Sequence, residues 1–329
     1  MRWGLLAVGA AVLLAASLVS ARQEPVFRSR TESVPVYVTV IGDTGHLVTD
    51  LTREDFQIFD NGRPQPITVF ASGLQPISII VMLDMSGSML GNIDVLRRAA
   101  VQMFTRLLPG DKARVGNFGD RIVISPTFTN DVDTLIRALY LDLEPGGPTP
   151  LWGAVNAAMA ALAHLDGRRV VLVLSDGKNT GLRTVNGLPS GPTLREVITR
   201  AQTEDFMVYA IGMRSRMVPA AQGSGGYQGG FGGYGRRRGL GGFGGFGGDE
   251  PDPGLRELAD ESGGGYFALD GAENLADTFA RVADELHRQY LLGYVPPEND
   301  GRIHQIQVRT KDPSLKVRAR RSYEAPQRR

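Results

Sequence analysis

The sequence predicts an α/β fold: a doubly wound, mostly parallel sheet flanked by helices, joined to a small β-sandwich-like unit built from strands near both ends of the chain. Three observations predict it. From Pro76 onward, apolar runs of strand length alternate with helical patterns, as in a parallel sheet covered on both faces. Residues 33–71 instead alternate apolar and polar side chains, the mark of strands with one buried face. Residues 290–324 return to that alternation, and neither terminal stretch is large enough to bury a core by itself.

At the start, "MRWGLLAVGAAVLLAASLVSARQEP" has a basic opening, an apolar stretch and a small-residue exit with Val19 and Ala21 at the positions a signal peptidase reads, so residues 1–21 are expected to be a cleaved secretory signal. The alternative is an uncleaved anchor, since Trp3 to Val19 just reaches the length that spans a bilayer; a membrane is a partner only in that case. Either way the body is expected to be exported, to the periplasm or beyond the cell. Residues 28–75 form an N-terminal β segment, in which "VPVYVTVIG" is a strand, "GDTG" a turn and "FQIFDNGRPQPITVF" a hairpin about Asn61-Gly62.

The α/β domain is expected over 76–289. Its strands are "ISIIVMLD", "ARVGNFG", "RIVISPTF", "RRVVLVLSD", "DFMVYAIGM" and "GYFAL", with helices at about 92–108, 131–141, 151–165, 193–204, 252–262 and 272–289. Asn130 stands before "DVDTLIRAL" as its expected N-cap. Only Gly119-Asp120 joins "ARVGNFG" to "RIVISPTF", so one of the two must run antiparallel, at an edge. Within this region an insertion at 223–248 is low-complexity and glycine-rich, with little side chain to bury; it reads as a solvated spacer, or as a docking segment anchored by Tyr227, Phe231, Tyr234, Phe243 and Phe246. The last strands, at 290–324, are expected to pair with 28–75, and the basic tail "RARRSYEAPQRR" to be a frayed, solvated end.

Composition narrows the function. The formal charge is +1, so no long-range field draws nucleic acid or an anionic membrane, and export sets aside an RNA role for the Gly-Arg tract. The chain has no cysteine, which removes disulfides, thiolate metal sites and cysteine nucleophiles. His46, His164, His287 and His304 are scattered in an order that suggests neither a zinc site nor a catalytic dyad. No Walker A sequence is present.

Candidate chemistry gathers in three short strings. In "VMLDMSGSML", Asp84, Ser86 and Ser88 alternate after a buried strand, so their side chains can share one point. Alone, this reads first as an ordinary helix N-cap. "PGGPTPLWGAV" places Thr149 in a turn before a helix, and "VVLVLSDGKNT" ends another strand on Asp176; in a doubly wound sheet these loops can converge on one rim. Two carboxylates and three hydroxyls are hard oxygen donors suited to Mg²⁺, or to Mn²⁺ or Ca²⁺.

Together these strings resemble the von Willebrand factor A domain with a complete metal-ion-dependent adhesion site. Strand and helix order supports the resemblance over about residues 76–289, and the flanking "VTVIGDTGHLVTDLTREDFQIFDNGRPQPITVF" and "YLLGYVP" resemble a bacterial secreted family related to it, known especially from Acidobacteria. The resemblance implies that Ser86, Ser88 and Thr149 offer hydroxyl oxygens to the ion, with Asp84 and Asp176 contacting it directly or through water. It implies a partner protein presenting Asp or Glu, metal-dependent adhesion and no catalysis. It also implies that partner binding shifts the helix near 272–289. Pro148 and Pro150 beside Thr149, and the glycine-rich insertion, depart from the family's pattern.

Two other classes compete. An aspartyl-phosphate enzyme of the haloacid dehalogenase type wants a second acid where Ser86 stands, and a metal hydrolase wants a base beyond Asp84 and Asp176, which the metal already engages. A structural envelope component with a non-adhesive ion is the other alternative.

Overall fold

The computed structural model describes residues 33–141, 146–183, 189–214 and 250–327. The expected signal at 1–21 and the insertion at 223–248 with its aromatic residues lie outside the described residues. Among those described, no helix is long and apolar enough to cross a membrane.

The N-terminal strands are β1 (Val34–Ile41), β2 (Phe56–Asp60), β3 (Arg63–Gln65) and β4 (Val69–Ala71). β2 and β3 form the expected hairpin, with Asn61 and Gly62 both at positive φ (47° and 78°), the backbone that a two-residue turn between twisted strands requires.

The α/β body follows. Its strands are β5 (Ile77–Asp84), β6 (Lys112–Phe118), β7 (Ile122–Ile124), β8 (Arg168–Ser175), the short pair β9 (Leu182–Arg183) and β10 (Pro189–Ser190), β11 (Phe206–Met213) and β12 (Tyr266–Leu269). Its helices are α1 (Ile93–Phe104), α2 (Val132–Leu141), α3 (Leu151–Leu162), α4 (Leu194–Thr203), α5 (Gly254–Ser262) and α6 (Leu275–His287). The strand order is β12-β11-β8-β5-β6-β7, all parallel except β7, which lies antiparallel at the edge as the two-residue connection demands. β5 and β11 are buried at every position, consistent with helices on both faces: α1, α2 and α6 on one, α3, α4 and α5 on the other.

The chain closes with β13 (Tyr290–Tyr294), β14 (Ile303–Thr310), β15 (Lys316–Arg318) and β16 (Ser322–Glu324). These complete two four-stranded antiparallel sheets, β15-β1-β13-β4 and β16-β14-β2-β3, each mixing strands from both chain ends. Their inner faces share one core, which includes Val36, Val38, Ile58, Leu292, Tyr294 and Tyr323. At its centre Asp60 accepts hydrogen bonds from Tyr294 Oη (2.9 Å) and Tyr323 Oη (2.7 Å) and contacts His304 Nδ1 at 2.8 Å.

Two local expectations are corrected. Asp131, not Asn130, caps α2: its Oδ2 accepts from the backbone N–H of Thr134 at 3.0 Å, while the Asn130 side chain donates to the carbonyl of Pro109. The basic tail, as far as Gln327, is not a frayed end, and three of its arginines have carboxylate partners. Arg318 pairs with Glu285, Arg320 with Asp205 and Arg321 with Glu261, and Tyr323 is buried on Asp60.

Candidate metal centre

β5 and β8 are neighbours, yet the chain leaves β5 toward β6 on one side and returns to build β8, β11 and β12 on the other. Their carboxyl ends therefore flank the point where strand order reverses, the crevice in which open α/β sheets bind ligands. Asp84 ends β5, and Asp176 follows the last residue of β8. The register Leu83↔Leu174 sets the two strand ends level with one another.

Asp84 is fully buried. Its Oδ1 accepts from the backbone N–H of Ser86 at 2.9 Å and its Oδ2 from the Ser175 hydroxyl, so both oxygens are fixed in direction. Burial pushes its carboxyl up to about 6; the bonds from Ser175 and Ser86 oppose that rise, and the charge of Asp176 adds to it.

Beyond Asp84 the chain enters a short 3-10 turn over Gly87–Asn92 that leads into α1. The turn sets Ser86 Oγ 3.2 Å from Ser88 Oγ, and Ser88 Oγ donates to Asp176 Oδ1 at 2.8 Å. Hydrogen bonds thus run from Asp84 through Ser86 and Ser88 to Asp176. Asp84, Ser86 and Asp176 are buried, and Ser88 is the exposed member.

Thr149 approaches from a third loop. Its backbone N–H donates to Thr180 Oγ1 at 2.8 Å, and its carbonyl accepts from the N–H of Thr180 at 2.9 Å. A side chain on Gly177 would meet Thr149 Oγ1 at 3.2 Å, so the Thr149 hydroxyl lies against the residue that follows Asp176. The turn before it depends on Gly146 and Gly147 at positive φ (132° and 86°). Gly146 donates its N–H to the Met85 carbonyl, which ties this loop to the end of β5.

Two further residues support the site without appearing among the candidates read from sequence. Ser175 orients Asp84, and its only sequence signal was its place beside Asp176 in "VLSDG". Asp252 accepts from the backbone N–H of Asn179 at 3.0 Å and donates its own N–H to the Gly177 carbonyl, clamping the loop that follows Asp176. Nothing local in the sequence marks Asp252 for this, because its partners stand about seventy residues earlier.

The donor set is made of oxygen alone: two carboxylates and three hydroxyls. Among the described residues no three His, Cys, Asp or Glu side chains gather as a metal-holding group, and the five side chains named here carry no nitrogen or sulfur donor of the kind that favours zinc or copper. Its chemistry fits a hard divalent cation. The two buried histidines lie elsewhere: His287 contacts Asp111 at the opposite, amino end of the sheet, where Asp111 also accepts from the N–H of Ile77, and His304 lies in the sandwich.

Residues 79–178 match the family model described as the von Willebrand factor type A domain. Among curated proteins, none matches the sequence. Solved structures of similar fold include proximal thread matrix protein 1 from the mussel byssus, at 15% identity and a TM-score of 0.47, covering 69% of this chain and 51% of that one. The same mussel protein with a zinc-occupied metal-ion-dependent adhesion site matches at 14% identity and a TM-score of 0.48, covering 70% and 50%. A von Willebrand factor type A protein from Catenulispora acidiphila matches at 13% identity and a TM-score of 0.45, covering 91% and 76%. The aligned part thus spans about half the length of the mussel protein.

Proposed function

We propose that this chain, whose α/β body carries a von Willebrand factor type A domain, binds a divalent cation through Asp84, Ser86, Ser88, Thr149 and Asp176 and uses it to capture an Asp or Glu side chain of a partner protein outside the cytosol. One observation carries the reading: Ser88 Oγ, on the exposed rim, donates to Asp176 and lies 3.2 Å from Ser86 Oγ, while the Ser86 backbone N–H donates to Asp84, so acids from two adjacent strand ends converge on one turn. Bound there, Mg²⁺, or Mn²⁺ or Ca²⁺, supplies a hard positive centre whose charge neutral hydroxyls do little to quench, leaving affinity for a further carboxylate.

The chain's own residues do the positioning. Asp84 is held from both sides by Ser86 and Ser175, and a neighbouring positive charge would favour its ionised form against the cost of burial. Thr149 is fixed through its backbone by Thr180, so its main chain does not have to be ordered on binding. Ser88 is the member that solvent, and hence a partner, reaches. The role is binding; the site offers no base beyond the two acids that hold the ion.

The test is a pull-down from the envelope fraction of the source organism in Mg²⁺ and in EDTA, beside Asp84→Ala. The reading expects the same bands to vanish by chelation and by mutation. Bands that persist in EDTA would reduce the cation to a structural role, and turnover of generic phosphate or ester substrates that Asp84→Ala abolishes would make the site an enzyme's.

A further inference from the structure

Where the sandwich meets the α/β body, three guanidinium groups converge on one small space. Tyr37, Arg168, Arg169, Asp205, Ser262 and Arg320 line a cavity of about 10 Å³, on the order of the space one water-sized particle needs. Tyr37 and Arg320 come from the sandwich side; Arg168 and Arg169 open β8, and Asp205 and Ser262 adjoin β11 and end α5.

The charges around this cavity do not balance. Arg168 is buried, lies over the Tyr37 ring at 4.8 Å, and gives its terminal N–H groups to the Leu286 carbonyl and the Gln289 side-chain oxygen. Arg169 donates to the carbonyls of Ala163 and Glu204. All of these acceptors are neutral. Only Arg320 has a carboxylate, Asp205 at 2.7 Å, and it also donates to the Pro35 carbonyl. The Nε of each of the three arginines is buried and has no hydrogen-bond partner. Among the residues that line the cavity, one acid therefore faces three arginines, with the charge of Asp111 also reaching Arg168, and three N–H donors lack an acceptor.

Leaving the buried charge of Arg168 without a carboxylate partner is costly, as is leaving a buried N–H donor unmade, whereas Arg169 and Arg320 are only partly buried. A water molecule would accept two hydrogen bonds at most, would need acceptors for its own protons and would cancel no charge. A small anion accepts from every donor and offsets the positive excess. Burial also depresses the pKa of Arg168 below the ordinary arginine value, a cost that an adjacent negative charge would relieve.

We propose that this cavity binds a single chloride-sized anion, which fastens Tyr37 and Arg320 of the sandwich to Arg168 and Arg169 of the central sheet. The site is separate from the candidate cation centre, which lies at the opposite end of the sheet.

Crystals of the full chain soaked in sodium bromide test this directly. An anomalous peak in contact with the Arg168 and Arg320 Nε atoms is expected, and a water molecule at that position with no halide signal overturns the proposal. In solution the midpoint of thermal unfolding should rise saturably with sodium chloride, by mass action, and not with sodium gluconate at equal ionic strength. An equal response to the two salts overturns it as well. Arg169→Gln, which removes one donor and one charge, is expected to lose the chloride-specific rise; the bromide map on the unaltered chain needs no variant to fold.

Discussion

Ser88 Oγ donates to Asp176 Oδ1 at 2.8 Å across 88 positions of sequence. The bond exists because β5 and β8 are adjacent and parallel, so the turn after one strand faces the residue after the other. It ties Asp176 to the turn that follows Asp84, and so makes the loops after β5 and β8 one unit.

Ser175→Ala should weaken Mg²⁺ or Mn²⁺ binding about 10- to 100-fold, the usual effect of removing a group that orients a metal-binding carboxylate. Asp84→Ala should remove the binding heat altogether. Titration calorimetry on both variants checks this, and unchanged affinity in Ser175→Ala would show that Asp84 does not need its second hydrogen bond.

Asp60→Ala should destabilise the protein by about 3–5 kcal/mol, because it strands the Tyr294 and Tyr323 hydroxyls and His304 Nδ1 in the sandwich core. Tyr323→Phe removes one of these bonds and should cost about 1 kcal/mol. Urea unfolding measures both, and a loss below that of Tyr323→Phe in the alanine variant would mean the core refills around the gap.

Gly264→Ala should destabilise by more than about 3 kcal/mol, since its new carbon would overlap the Val208 carbonyl on β11, backbone against backbone with no side chain able to yield. Gly91→Ala is the control. A side chain there meets nothing within 4 Å, and its effect should stay within about 0.5 kcal/mol. The comparison is read from the thermal midpoints of the two variants.

Alkaline pH should destabilise the fold through its buried phenols. Burial raises Tyr209, Tyr294 and Tyr323 above the ordinary tyrosine value. A raised folded value means that the unfolded chain loses its protons first. These groups therefore contribute full stability below about pH 10, and lose it as pH climbs from there toward their folded values. Denaturant midpoints taken between pH 8 and 11 should fall, and should fall less in Tyr294→Phe with Tyr323→Phe.

Much of this architecture was legible because the signals were local. The apolar runs named β5, β8 and β11, the two-residue link at Gly119-Asp120 forced β7 to run antiparallel, and Asn61-Gly62 announced its hairpin. Asp84, Ser86 and Ser88 fall in one string, and Asp176 closes a strand. What escaped depends on partners distant in sequence. Asp252 has a role only once its loop is folded against Gly177 and Asn179, and the tail arginines looked solvated until Glu285, Asp205 and Glu261 came beside them. The choice of Asp131 over Asn130 as cap was a matter of one residue in the approach to α2, which composition does not resolve.

The interleaving of the two chain ends bears on how the protein is made. Val34 pairs with Tyr294 and Thr39 with Arg318, so β1 has neither of its sheet neighbours until β13 and β15 are synthesised. The α/β body, whose sheet uses contacts within its own span, has the means to form earlier, while β1 and the edge of β2 that β14 will cover wait open to wrong associations. A chain cut short before β13 should thus be prone to aggregate even with its central sheet intact.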